Sequence, residues 1–368
     1  MTQLSAGPLR PVPTRPGDAG EILPPLDPIV SLPVVTLFPF SRCNCRCAMC
    51  DIWKVRESSS LSREDVEALV PSLVRLGTRR AVLSGGEPLM HPHLFEVVAP
   101  LREAGIGLTL LSSGLLLERF AREIASSFDD VVASLDGPRD VHDALRGVPG
   151  AFDRLAKGVA AIRREGPLIP VSGRCTVQRA NLGRLRDTVA AAKAIGLSRL
   201  SFLAADVTSE AFNRPGGWPL ADAERVAPGA DDLPLLASEI DALERENAAD
   251  LASGFVAEPA ARLRERLLGH FRALGGEVPF PPSRCNAPWV SAVVEADGTV
   301  RPCFFHAPYG SLREGNGIDG IDGIDGTDGL AGILNGERAL AFRRALDVAT
   351  DPTCLACTCR LNLRRSQP

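Results

Sequence analysis

The chain has 368 residues, with 41 Lys and Arg against 45 Asp and Glu and a formal net charge of −4. It is 45% apolar and 23% charged, too apolar for a chain disordered throughout and too evenly charged for nucleic acid as the main partner. No run approaches the roughly 18 apolar residues that cross a bilayer. The Pro-rich start (Pro8, Pro11, Pro13, Pro16) lacks the apolar core of a secretory signal, so the expected location is cytoplasmic, with no membrane partner.

Residues 1–30, rich in Pro and Gly, read as a flexible arm. From Val34 short apolar runs alternate with amphipathic stretches. The runs are Val34 to Phe40, Arg80 to Ser84, Ile106 to Leu111, Val131 to Leu135, Val171 to Val177 and Leu200 to Leu203. Ser62 and Asp65 predict a capping box ahead of Val66, Leu69, Val70 and Leu73, with Gly77 at the C-cap. Further helices are expected near 93–104, 115–126, 151–165 and 181–195. Six strand-then-helix units over residues 31–204 predict an α/β fold of parallel strands with right-handed crossovers. Six fall short of the eight that close a barrel, so a partial, open-sided barrel is expected, its site at the strands' C-terminal ends.

Residues 205–284 break this rhythm with two helical patterns, Leu233 to Glu246 and Pro259 to Leu274, and read as a bridging or substrate-side insertion. Residues 285–368 form a short-stranded, cysteine-bearing module in which a Gly-Ile-Asp repeat at 317–329 reads as a flexible loop. A helix from Gly336 to Asp347 is expected to leave Arg343 and Arg344 solvated.

The ten cysteines fall into two groups, with Cys175 alone in an apolar strand, where a buried core thiol is expected. Cys43, Cys47 and Cys50 stand as C-x3-C-x2-C directly after the first strand. Thiolates so spaced on a loop can converge on one cubic iron–sulfur cluster, leaving one iron without a protein ligand. The rival is zinc with Cys45 as fourth ligand, although Cys45 alternates in direction with its neighbours.

This run, Cys43-Asn44-Cys45-Arg46-Cys47-Ala48-Met49-Cys50, resembles the signature of the radical SAM superfamily. The resemblance extends to Gly85-Gly86-Glu87-Pro88 after the second strand, and to Ser134-Leu135-Asp136-Gly137, His142-Asp143 and Arg146-Gly147 after the fourth. It implies a partial six-unit barrel, and a [4Fe–4S] cluster on Cys43, Cys47 and Cys50 whose open iron takes S-adenosylmethionine. It further implies that Gly85, Gly86 and Glu87 meet the methionine ammonium, that Ser113, Ser134 and Asp136 contact ribose or carboxylate, and that Arg174 is a weaker contact to the carboxylate. Cys45 would be a spectator. An electron donor such as flavodoxin or ferredoxin is implied as partner.

Cys285 and Cys303 stand as C-x12-G-x4-C, followed after a long gap by Cys354 and Cys357 as C-x2-C and then Cys359. Glu295 to Thr299 predicts a hairpin returning Cys303 toward Cys285. Four thiolates would close a cluster suited to electron transfer; structural zinc is the rival. This region resembles the twitch domain, the shortened relative of the SPASM domain, which implies one auxiliary [4Fe–4S] cluster and two clusters in all. Cys359, His306 and Tyr309 are the candidates for catalytic groups, with Cys359 or Cys175 as hydrogen donor in an epimerisation. The activity implied is hydrogen abstraction from a substrate C–H bond, most simply net oxidation of a sugar- or aminocyclitol-like small molecule. The alternatives are a maturase acting on a peptide and a zinc-stabilised binding module.

Overall fold

The computed structural model describes residues 27–313 and 329–363. The expected arm up to residue 26 and the Gly-Ile-Asp repeat up to residue 328 lie outside the described residues. The barrel elements run in chain order β1 (Val34–Phe40), α1 (Arg63–Arg75), β2 (Arg80–Gly85), α2 (Leu94–Glu103), β3 (Gly107–Ser112), α3 (Ala121–Ser127), β4 (Asp130–Ser134), α4 (Arg139–Arg146), α5 (Ala151–Glu165), β5 (Val171–Val177), α6 (Leu185–Ala194) and β6 (Leu200–Ala204). Local chemistry sets the boundaries. At α1, Ser62 Oγ accepts from the Asp65 amide while Asp65 accepts from the Ser62 amide, satisfying two donors that no helical turn can reach.

All six strands pair in parallel in the order β6-β5-β4-β3-β2-β1. Their two faces differ. Val35, Leu37, Ala81, Leu83, Leu108, Leu110, Val131 and Ala133 are at most 1% exposed and pack under the helices. The alternate residues, such as Val82, Ser84, Val132 and Ser134, are half-buried, and Arg174 is exposed although it lies mid-strand. A closed parallel sheet would bury both faces and read as continuous apolar runs. The alternation here marks a curved sheet whose inner face lines an open lumen.

After β6 come α7 (Leu220–Val226), α8 (Leu233–Glu246), α9 (Ala248–Ala252), and α10 (Ala260–Leu263) joined through a π-helical turn (Arg264–Gly269) to α11 (His270–Leu274). Leu236, Ile240 and Leu243 of α8 are fully buried, and Glu239 accepts from the Arg186 amide and guanidinium of α6. Segment 255–257 clasps Leu200 of β6 by two backbone bonds. This part of the insertion therefore packs against α6 and the edge strand β6 of the barrel.

The C-terminal module holds α12 (Ala287–Val290), β7 (Ser291–Val294), β8 (Thr299–Arg301), β9 (Gly310–Ser311), α13 (Gly329–Asn335), α14 (Glu337–Ala345) and α15 (Pro352–Ala356). β7 and β8 form the expected hairpin. In addition, β7 pairs in parallel with β1, Val34 opposite Ser291 and Leu37 opposite Val294, so the module continues the barrel sheet.

Two expectations are corrected. Residues 27–30 are docked: Ile29 is 2% exposed, and its amide and carbonyl both bond the Asn335 side chain. Arg343 is not solvated; its guanidinium is enclosed, bonding Asp27 at 2.6 and 3.0 Å and the Leu334 carbonyl at 2.6 Å. Arg344, on the same helix and paired to the same Asp27 at 3.3 Å, keeps 69% of its side chain exposed. Removing one member of a buried pair strands the other, whereas an exposed pair is screened by water. Arg343→Ala is therefore expected to lower the unfolding free energy by about 3 kcal/mol and Arg344→Ala by under ~1 kcal/mol, read from denaturant midpoints. Equal effects would show that the docked segment contributes nothing through this pair.

Candidate active site

The loop 41–51 leaves the C-terminal end of β1 with no ladder of its own, so other parts of the chain must satisfy its amides and carbonyls. The Gly86 and Glu87 amides donate to the Phe40 and Arg42 carbonyls at 3.2 and 2.9 Å. The Arg46 and Ala48 amides donate to the Arg146 and Leu145 carbonyls at the end of α4, at 2.9 and 3.0 Å. The Asp51 amide donates to the Phe212 carbonyl at 3.2 Å. Contact is so close that a Cβ on Gly86 would lie 2.1 Å from the Arg42 oxygen, and one on Gly147 would lie 2.6 Å from the Arg46 oxygen.

Glu87, 1% exposed, has its carboxylate consumed locally. Oε1 accepts from Ser112 Oγ at 2.9 Å and Leu89 N at 3.2 Å, and Oε2 accepts from Ser113 N at 2.7 Å. Burial pushes this carboxyl upward against those donors. An ammonium group only donates, so what the turn can offer it is carbonyl oxygen. Gly85 ends β2 against Phe38. Ser113 Oγ reaches Asn44 of the cysteine loop at 3.1 Å, which ties the end of β3 to that loop. Ser134 and Arg174 sit opposite each other across β4 and β5, on the lumen face.

Asp136, expected at the cofactor, has its carboxylate engaged within the chain. It is fully buried, Oδ1 accepting from Thr176 N at 2.9 Å and Oδ2 paired with Arg146 at 2.6 Å. Arg146 in turn donates to Cys47 Sγ at 3.6 Å. His142 accepts from the Asp136 amide through Nδ1, and burial drives its pKa down to about 4, so it stays neutral beside Arg146. A buried chain thus runs from β5 through Asp136 and Arg146 to a cysteine sulfur.

The cysteine loop also corrects the expectation for Cys45. Its thiol, 2% exposed, does not point away but lies within hydrogen-bonding reach of both Cys43 and Cys47. Strand-like alternation fails because these residues form no strand. Cys45 lowers both neighbours; Cys47, helped further by the Arg146 charge, falls to about 6, whereas burial lifts Cys50 to about 12.

The C-terminal cysteines form the second centre. The charge of Cys285 acts on Cys303 and Cys354, that of Cys357 acts on Cys285 and Cys303, and the Cys357 amide donates to the Cys354 carbonyl. Burial pushes all four thiols up, Cys303 to about 12 and Cys357 to about 11. Cys359 is exposed, and the charges of Arg174 and Arg266 act on its thiol. His306 Nε2 lies 3.3 Å from Cys354 Sγ and 3.8 Å from Asp351. Tyr309 is a core residue, 5% exposed between Phe342 and the enclosed Arg343, and not a lumen group. Cys175 is fully buried on the helix-packed face.

The donor sets show which metal centre fits. Among the described residues, the metal-capable trio with ligand atoms within 4.8 Å is His306, Asp351 and Cys354. Cys43, Cys47 and Cys50 on the first loop, and Cys285, Cys303, Cys354 and Cys357 in the C-terminal module, are free soft thiols, the donor type an iron–sulfur cluster takes.

Residues 37–192 match the model of the radical SAM superfamily, and residues 285–358 match that of SPASM, an iron–sulfur cluster-binding domain. The chain carries a radical SAM domain followed by a SPASM domain. Such domains hold [4Fe–4S] clusters and S-adenosylmethionine, which fits the three-thiol loop and the four-thiol module. Over 302 residues, 79% of this chain and 71% of the relative, it is 29% identical to the PqqA peptide cyclase of Ruegeria pomeroyi. It is 34% identical over 156 residues to the Fe-coproporphyrin III synthase of Methanosarcina barkeri, covering 41% of this chain and 38% of that protein. The first curated relatives are matched over less than half of their own length. Streptococcus suis SuiB bound to precursor peptide SuiA shares the fold at 14% identity and a TM-score of 0.58, over 89% of this chain and 70% of that one. So does anSMEcpe with bound AdoMet, at 17% and 0.61, over 86% and 84%.

Sequence reading passed over Arg146 as a functional group and over Asp206, Arg214 and Trp218 altogether. An arginine and a tryptophan inside a Gly- and Pro-containing loop were the available signal. Because the loop rests on Gly86, Gly86→Ala is expected to cost the first cluster and spare the second, leaving roughly half of about eight irons after anaerobic reconstitution. Full iron in that variant would show that the close approach is dispensable.

Proposed function

We propose that this chain cleaves S-adenosylmethionine at the Cys43-Cys47-Cys50 centre and removes a hydrogen atom from a peptide held in the lumen. The cluster, when bound, supplies the electron that splits the sulfonium into methionine and a deoxyadenosyl radical. The remaining work belongs to the chain. Carbonyls of the Gly85-Gly86-Glu87 turn would receive the ammonium, and Ser134 and Arg174, opposite each other on the lumen face, would receive ribose and carboxylate. The barrel wall excludes water from a group that would otherwise react indiscriminately. Cys285, Cys303, Cys354 and Cys357 would hold an auxiliary cluster able to accept the substrate's second electron, with flavodoxin or ferredoxin as external donor.

The observation that carries the peptide reading is the match to the PqqA peptide cyclase, which covers 79% of this chain and 71% of that protein. A polar small molecule such as an aminocyclitol is the second reading, favoured by a lumen face bearing Ser134, Arg174, Thr176 and Ser201. In dithionite with S-adenosylmethionine, deoxyadenosine is expected from the parent chain, while Cys47→Ala should abolish it. Cys303→Ala should keep that cleavage but lose substrate turnover. A colourless chain holding zinc and forming no deoxyadenosine would instead identify a binding module. Mass changes in a peptide set against an aminocyclitol set then divide the two substrate readings.

A further inference from the structure

Residues 206–218 lie in the loop between β6 and α7, outside every motif discussed above, yet they meet the cysteine loop on both sides of Cys50. Arg214 Nη2 donates to the Met49 carbonyl at 2.5 Å. Nη1 bonds the Asp206 carbonyl at 2.9 Å and its carboxylate at 3.0 Å. The guanidinium lies over the Trp218 ring at 3.8 Å, and no part of the side chain is exposed. Trp218 Nε1 donates to Asp51 Oδ2 at 2.7 Å, and Asn213 Nδ2 donates to the Asp51 carbonyl at 3.0 Å. Phe212 and Asn213 hold left-handed backbones (φ 61° and 63°), which side-chain-bearing residues adopt only when their surroundings dictate it.

A buried cation with so many fixed contacts is not a solvated loop charge. Its planar fork serves two roles, because it pins a peptide group adjoining Cys50 and places positive charge next to that corner of the centre. We infer that Arg214 is a positioning residue for the Cys50 corner of the three-cysteine cluster, and that the Arg214–Asp206 pair sets that cluster's reduction potential. The inference rests on the cluster assigned to that loop under the proposed function. Reduction adds negative charge, so a neighbouring cation favours the reduced form, and Asp206 partly offsets the cation.

The test uses the full chain, reconstituted anaerobically. The cluster of interest is the one whose EPR signal changes on adding S-adenosylmethionine. Arg214→Gln is expected to shift its midpoint potential downward, and Asp206→Asn, which keeps the backbone acceptor and frees the cation, to shift it upward. Arg214→Lys should return the potential toward the parent value. A role confined to holding shape would move Arg214→Gln and Asp206→Asn together or neither. Either of those results overturns the inference. Should Arg214→Gln fail to load iron, Asp206→Asn alone decides the sign. Loss of auxiliary iron would expose general misfolding, and a parent chain without a signal responsive to S-adenosylmethionine would overturn the cluster assignment itself.

Discussion

An eleven-residue loop without a ladder can be buried only if distant parts of the chain satisfy its backbone, and that requirement organises this molecule. The cysteine loop draws on the Gly86 turn, on the end of α4 and on the segment after β6. Each support is a junction between elements and not an element itself. The barrel's strands serve to bring those junctions to one end of the sheet. The buried charges follow from the same need: Asp136 with Arg146 and Asp206 with Arg214 each fix one stretch of the loop while keeping their own charges paired.

Joining the two centres is a matter of backbone as much as side chains. β7 pairs with β1, the strand from which the cysteine loop departs. Beyond β8, Phe304 stacks on Phe38 of β1 at 5.7 Å, and Phe305 meets Phe212 at 6.2 Å. The residues following Cys303 therefore touch both the barrel wall and the segment that grips Asp51. The separation of the two centres is set by a continuous sheet and a run of aromatic contacts.

Much of this was legible in the sequence. Apolar runs located the six strands, because each must bury one face under helices, and turn chemistry located α1. The motif cysteines announced themselves by spacing. Other features were not legible, for physical reasons. α4 spans only eight residues, and its buried side sets His142 and Arg146 beside Leu145, so two of the residues it buries are ones a sequence pattern assigns to solvent. The pairing of β7 with β1 joins residues some 250 positions apart, and periodicity says nothing about which strands will meet. Cys45 was misjudged because alternation belongs to strands and this segment is a loop. Arg343 looked like surface charge because its partner, Asp27, lies in a stretch that composition alone made look loose.

The strand faces carry a consequence of their own. Every side chain on the concave side is flanked, one step away along its strand, by a residue committed to the opposite layer. Replacing Thr176 or Ser201 would leave the packed layer untouched. A lineage can thus re-line the chamber for new chemistry without renegotiating its own stability, and specificity becomes free to drift while the scaffold stays put.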